Sequence, residues 1–277
     1  IGCVSCGAVM LLSYVPRQGS EGSDMPVASD DDSLNGGEAA VLVEHAFDAS
    51  EVRDLSISWR AGSVVIDVYD VDSDDADIIV EEECVGDETA EADVRHGELT
   101  IRREGFENAL SDDVVASRLL VHLPSGVAQS LGVVHLESQS SDFEVRDMAC
   151  ELLQLDVVSG EVDVEDVRAG SLEVEAESGD VEVDGSFAEH VSIKAAAGDV
   201  EVSTAVTPTR TAIEVASGDV ELKLPRKASF AAWVQAGAGD FSTSFDARQS
   251  GETYLVRKGR NSISVSMESG SVRIDQR

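Results

Sequence analysis

From residue 131 onward, apolar and polar positions alternate in a pattern that keeps returning. The phrases SSDFEV (starting at 140), SGEVDV (159), SGDVEV (178), AGDVEV (197), SGDVEL (217), AGDFST (238) and SGSVRI (269) are spaced 19, 19, 19, 20, 21 and 31 residues apart. A second alternating run lies between them: LLQLDV (152), SLEVEA (171), HVSIKA (190), TAIEVA (211), SFAAWV (229) and NSISVS (261). Alternation with period two marks a strand with one wet face, so each unit predicts two short strands and two turns. A fixed period means that one unit cannot bury its own apolar face and stacks on its neighbours. In a parallel β-solenoid, with coils ~4.8 Å apart, Val181, Val183, Val200, Val202, Val220 and Leu222 point inward, and Glu182, Glu201 and Glu221 point outward. Antiparallel hairpins with S-G-D tips also fit the alternation, but they do not require equal spacing. The reading is all-β: a parallel β-solenoid, or β-helix, with coils of 19–21 residues. The long last interval holds DARQSGETYLVRKGRN and predicts a protruding loop or a change of structure.

Upstream, LSISWRAGSVVIDV (55–68), DADIIVEEECV (75–85), HGELTIRR (96–103) and SRLLVHLPSG (117–126) alternate in the same way. No window gives a convincing amphipathic helix. Residues 16–40 are rich in Gly, Ser, Asp and Pro and read as a tether. Residues 1–15, IGCVSCGAVMLLSYV, are almost wholly apolar. The chain thus divides into an apolar segment (1–15), an acidic Gly/Ser linker (16–40), a β-rich section that opens the solenoid domain (41–130) and the repeats (131–277). The apolar segment is shorter than the ~20 residues that cross a bilayer. It fits the remainder of an export signal or membrane anchor, or a segment buried in an assembly.

Charge narrows the choice of partners. The 277 residues are 42% hydrophobic, and only 4% are aromatic, so the core is aliphatic. The formal net charge of -35 argues against nucleic acid, whose phosphates need clustered Lys and Arg. It favours cations or a basic partner. Residues 21–100 carry 24 acids against Arg53, Arg60 and Arg95, while residues 244–277 carry four acids against six bases. The expected molecule has an acidic front and a mildly basic back.

The repeated S-G-D-V-E-V phrases, together with LSISWRAGSVVIDV and LLVHLPSG, resemble a bacterial family of candidate adhesins over about residues 41–277. That resemblance implies a β-solenoid, usually outside the cytoplasm and tethered to an envelope. It supplies no catalytic residues.

Candidate chemistry is sparse. Asp180, Asp199, Asp219 and Asp240 would stack into a ladder whose repulsion calcium could relieve, since calcium takes six to eight oxygens. In the plainer reading, Gly takes a left-handed bend and Asp accepts backbone N–H groups. DVDSDDAD (70–77) is a second, weaker cation candidate. Cys3 and Cys6 form a C-x-x-C pair without the His of a haem site, and Cys84 and Cys150 stand alone. In an exported protein, these four read as disulfides, with lipidation of Cys3 as an alternative. His45, His96, His122, His135 and His190 form no metal-binding or catalytic motif. Trp59, Phe230 and Trp233 are candidate contact aromatics, although Phe230 and Trp233 must face opposite sides of one strand. TYLV (253–256) is a candidate partner-binding strand.

The expectation is therefore a non-enzymatic, cell-surface or extracellular structural protein without a cofactor, calcium excepted. It would self-associate head-to-tail into filaments. Ile1, Val4, Val9, Leu11, Leu12 and Tyr14 would be donated to a neighbour, and Arg257, Lys258 and Arg260 would supply the basic contact. The alternatives are a membrane-tethered envelope domain that senses or binds a cationic ligand and, less favoured, a polysaccharide-active β-helix enzyme.

Overall fold

A computed structural model describes residues 41–71, 76–84, 89–103 and 117–277. In these the chain is almost entirely strand, as the alternation predicts. The strands are β1 (Val41–Asp48), β2 (Asp54–Tyr69), β3 (Asp77–Cys84), β4 (Glu91–Arg95), β5 (Glu98–Arg102) and β6 (Ser117–Pro124). A single helical turn, Ser125–Ala128, precedes β7 (Leu131–Arg146), β8 (Ala149–Ser159), β9 (Val162–Ser178) and β10 (Val181–Ala197). There follow β11 (Val200–Thr204), β12 (Arg210–Ser217), β13 (Val220–Leu224), β14 (Phe230–Ala238) and β15 (Phe241–Thr243). The chain closes with β16 (Ala247–Ser250), β17 (Thr253–Val256), β18 (Asn261–Ser269) and β19 (Val272–Gln276).

Equivalent strands of successive coils pair in parallel and build two facing layers. The first layer runs through β5, the first half of β2, the first half of β7, β8, the second halves of β9 and β10, then β12, β18 and β14. The second runs through β6, the second halves of β2 and β7, the first halves of β9 and β10, then β11, β13, β19 and β15. Inward positions form columns of like side chains. Val64, Phe143, Val162, Val181, Val200, Val220 and Val272 follow one another in register and are buried. Leu55, Val134, Leu153, Leu172 and Val191 face them from the other layer and are also buried. Each such residue contributes about 1.5–3 kcal/mol through removal from water.

The corner between the layers fixes the stacking. Gly179 has φ +125° and Gly198 has φ +132°. A Cβ on Gly179 would lie 1.9 Å from the Gly160 carbonyl oxygen, and one on Gly198 would lie 2.0 Å from that of Gly179. The same column continues through Gly62, Ser141, Gly160, Gly218, Gly270 and Gly239. The S-G-D phrase repeats because each copy lies directly against the backbone of the copy below. Hydrogen bonds carry the ladder through the turn: the Gly179 N–H donates to Ala197 O (3.1 Å), and the Val181 N–H donates to Asp199 O (2.9 Å).

Spatial order departs from chain order at both ends. β18 and β19 do not stack beyond β14 and β15. They insert between that coil and the coil of β12 and β13. The inserted coil buries Ile263, Val265, Met267, Val272 and Ile274, whereas the outer coil buries Phe230, Ala232 and Val234 and leaves Phe241 of three-residue β15 only half-buried. At the other end, β5 and β6 lie outside β2. Antiparallel strands then cover these terminal coils: β4 on β5, β3 on β6, β1 on β3, and β17 with β16 on β14. The long last interval is thus a capping hairpin, and TYLV pairs within the chain along Ala231–Trp233.

Replacing Gly198 with Ala combines an unfavourable φ with a backbone clash, so Gly198→Ala is expected to lower stability by about 3 kcal/mol or more. Ala196→Ser, on an exposed neighbour, should change it by less than about 0.5 kcal/mol. Urea unfolding of the two variants measures the difference.

Candidate functional site

Outward side chains are as regular as inward ones, and the two layers differ in how their charges are matched. On the second layer, the row Glu144, Asp163, Glu182, Glu201, Glu221 and Arg273 is in register. Cations are threaded among these acids. Arg146 lies 2.6 Å from Glu144, 3.3 Å from Glu165 and 3.7 Å from Asp163. Lys223 pairs with Glu201 and lies 3.8 Å from Glu221. Arg277 pairs with Asp184 at 2.9 Å.

The first layer has no such matching. Its outward row runs Ser58, Glu137, Asp156, Glu175, Lys194, Glu214 and Ser266. From Glu137 to Ser266 these side chains, with Glu173, Glu177 and Glu268, line an open groove of 1020 Å³. Lys194 is its only cation and bonds Glu175 at 2.6 Å. That bond holds the Lys194 ammonium above the ordinary lysine range, and the fields of Glu214 and Glu173 add to it. At the near end, His135 Nε2 lies 3.0 Å from Asp156. The carboxylates repeat at the ~4.8 Å coil spacing. Such a row concentrates negative charge along one line of the first layer.

Residues 127–275 match the family model Toastrack DUF4097. The chain belongs to the Toastrack DUF4097 family. Its two-layered stack of coils is the β-solenoid-like fold of that family. No curated protein matches the chain. Among solved structures, it is similar to a candidate adhesin from Bacteroides fragilis, at 12% identity over 85% of this chain and 97% of that one, with a TM-score of 0.46. It is similar also to a candidate cell adhesion protein from Clostridium sporogenes, at 14% identity over 86% and 100%, TM-score 0.40. A third is a candidate lipid-binding protein from Parabacteroides distasonis, at 11% identity over 86% and 97%, TM-score 0.41.

In this Toastrack chain the aspartate ladder holds the turns. Asp180 Oδ1 accepts the Asp199 N–H at 2.8 Å, and Asp199 Oδ1 accepts that of Asp219 at 2.7 Å. Asp219 Oδ1 accepts the N–H of Ser271, not of residue 240. The inserted coil therefore separates Asp219 from Asp240, which corrects the fourfold ladder expected from chain order. Among the described residues no three His, Cys, Asp or Glu side chains gather as a metal site. Within DVDSDDAD, residues 72–75 lie outside the described residues, as do Cys3, Cys6 and the proposed donor residues Ile1, Val4, Val9, Leu11, Leu12 and Tyr14.

Cys150 is a buried free thiol and not half of a disulfide; Cys84 is buried too. Trp59 and Phe230 are core, which removes them as contact aromatics. Trp233 is half-buried and donates its indole N–H to Glu252 at 3.1 Å. One feature was missed from sequence: a buried ion pair, Arg103 Nη1 to Glu82 Oε1 at 3.5 Å, beneath the β3 cap. Glu82 Oε2 also accepts the Ala90 N–H at 2.6 Å, and the Arg103 guanidinium stands 5.9 Å from the Trp59 ring centre. Strand parity carried the signal: Ile78, Val80, Glu82 and Cys84 share a face, and so do Leu99, Ile101 and Arg103.

If Asp199 is a turn acceptor, Asp199→Asn should keep stability within about 0.5 kcal/mol, since an amide oxygen also accepts. Asp199→Ala should cost about 1–2 kcal/mol, the loss of a charge-assisted bond; thermal unfolding of both variants separates them. Burial pushes the Cys150 thiol up to about 12, from an ordinary value of 9.0. Its folded state therefore keeps a proton that the unfolded state loses, so its contribution to stability is complete below pH 9 and declines towards pH 12. Denaturation across that range should show the decline, and Cys150→Ala should flatten it.

Proposed function

We propose that this Toastrack chain is a non-enzymatic, adhesin-like module of the bacterial cell surface or extracellular space. In this reading, its acidic groove holds an extended polycation, such as a Lys- and Arg-rich chain or an amine-bearing polymer. One observation carries the proposal: acids on the second layer are matched by Arg146, Lys223 and Arg277, while Glu137, Asp156, Glu173, Glu175, Glu177, Glu214 and Glu268 line a groove whose one Lys or Arg is Lys194, with His135 beside Asp156. Unmatched like charges in a row raise the local concentration of the opposite charge. Stacking coil on coil between copies would require β1, β3, β4, β16 and β17 to leave their edges, so the proposal does not depend on end-to-end stacking through residues 1–15.

Fluorescent poly-lysine at low salt is the test. The variant Glu137→Gln/Glu173→Gln/Glu214→Gln should bind about tenfold more weakly, because three exposed charges at about 0.5 kcal/mol each sum to about 1.4 kcal/mol. The matched-face variant Asp163→Asn/Glu182→Gln/Glu221→Gln should bind within about twofold of the parent, since each of these acids sits among cations. Equal losses in the two variants would mean that net charge alone attracts the probe, and the groove reading would fall.

A further inference from the structure

Of the bases that the sequence places at the back, Arg257, Lys258 and Arg260 meet bases from other segments at one corner, while Arg273 and Arg277 lie with the second layer. The turn after β17 carries Arg257, Lys258 and Arg260. It is tied to the turn before β14, which carries Arg226 and Lys227. The Arg260 N–H donates to Ser229 O (3.1 Å), and the Lys258 N–H donates to Ser229 Oγ (3.2 Å). Arg257 Nη2 donates to Arg226 O (3.5 Å). Arg210 joins them from β12, opposite Ser262, two residues past Arg260. All six are exposed. Among the described residues none of the six forms an ion pair. In a chain with 55 acidic residues against 20 Lys and Arg, six cations without a carboxylate partner form a site of opposite sign to the rest.

The same molecule therefore carries two unmatched surfaces, a basic corner and an acidic groove. They cannot neutralise each other within one copy. Both lie on the first layer, but the corner precedes β14 and β18 while the groove reaches β18 only at Ser266 and Glu268. From Arg260 to Ser266 along a rigid strand is ~20 Å, about twice the ~10 Å screening length at 0.1 M salt. The pairing is open only between molecules.

We infer that the basic corner of one copy docks into the acidic groove of a second copy. The occupant of the groove is then the corner cations of a neighbour. The contact is heterologous, because corner and groove are different surfaces, so it adds copies in one direction. This rests on the groove's unmatched charge, as the proposed function does, but requires the corner as well. It needs neither an open coil end nor residues 1–15.

Sedimentation equilibrium of the full chain at 50 and 500 mM salt, with reciprocal charge reversal, tests it. The parent should associate at low salt and dissociate at high salt. Arg226→Glu/Lys258→Glu/Arg260→Glu should associate at least tenfold more weakly, and so should Glu137→Lys/Glu177→Lys/Glu268→Lys. Circular dichroism should show both still folded, since every replaced side chain is exposed and none is in an ion pair. An equimolar mixture of the two variants should recover association, in alternating copies, because each reversed surface meets its complement on the other variant. A parent that stays monomeric at low salt would overturn the inference, and so would a corner variant that associates like the parent or a mixture that fails to recover. Vesicles with anionic headgroups form the competing arm: if the parent binds them through the corner and never self-associates, the partner is a lipid surface and the inference is wrong. The corner variant's poly-lysine affinity separates the two readings. Normal poly-lysine binding without self-association leaves the groove reading standing, while self-association without poly-lysine binding leaves only the contact.

Discussion

Everything in this fold depends on how closely one backbone corner can lie on the next. At each of its glycines the column places a Cα where an added Cβ would meet a carbonyl oxygen of the neighbouring coil. That approach keeps both layers in register at once, because a corner that stood off would break the ladder on either side of it. The valine columns follow from the register, and the aspartate-to-amide bonds secure its outer rim. The hydrophobic effect supplies most of the stability of such a stack, yet it does not specify which valine meets which. The corner does.

Much of this was legible in the sequence, for identifiable reasons. Equal spacing fixed the register, and parity fixed which of Val181, Glu182 and Val183 faces inward. The groove row could also have been read, since residues 137, 156, 175, 194 and 214 advance by one coil at each step. What resisted was order. AGDFST and SGSVRI both satisfy the corner, so the phrases alone do not say which stacks first. Glu82 and Arg103 lay on inward faces by parity, but their meeting depends on how β3 covers the terminal coil of β5 and β6, which no local pattern encodes. Cys150 reads as a bridge by compartment and is a core thiol by position.

The outward faces carry the information that distinguishes this chain from a bare scaffold. Because side chains repeat in rows, one lysine in the right coil neutralises several acids and one missing lysine leaves a long unmatched strip. Lys194 and Lys223 lie on different layers, with Arg146 beside the second row. A few substitutions thus decide whether a face is inert or attractive while the core stays unchanged. The basic corner is made likewise, by an excursion of chain that also caps an edge.

The inserted strand pair has a mechanical meaning. In a simple stack, tension at the end of the chain peels the outermost coil, one hydrogen bond after another. Here tension entering at Arg277 acts on β19, which is bonded to β13 on one side and β15 on the other. Arg277 is itself clipped by its N–H to Leu224 O (2.8 Å) and by its side chain to Asp184. The load is therefore carried by two neighbours together, in the manner of a dowel and not of a zip. A stack arranged this way can bear load through β19 without giving up its outermost coil first.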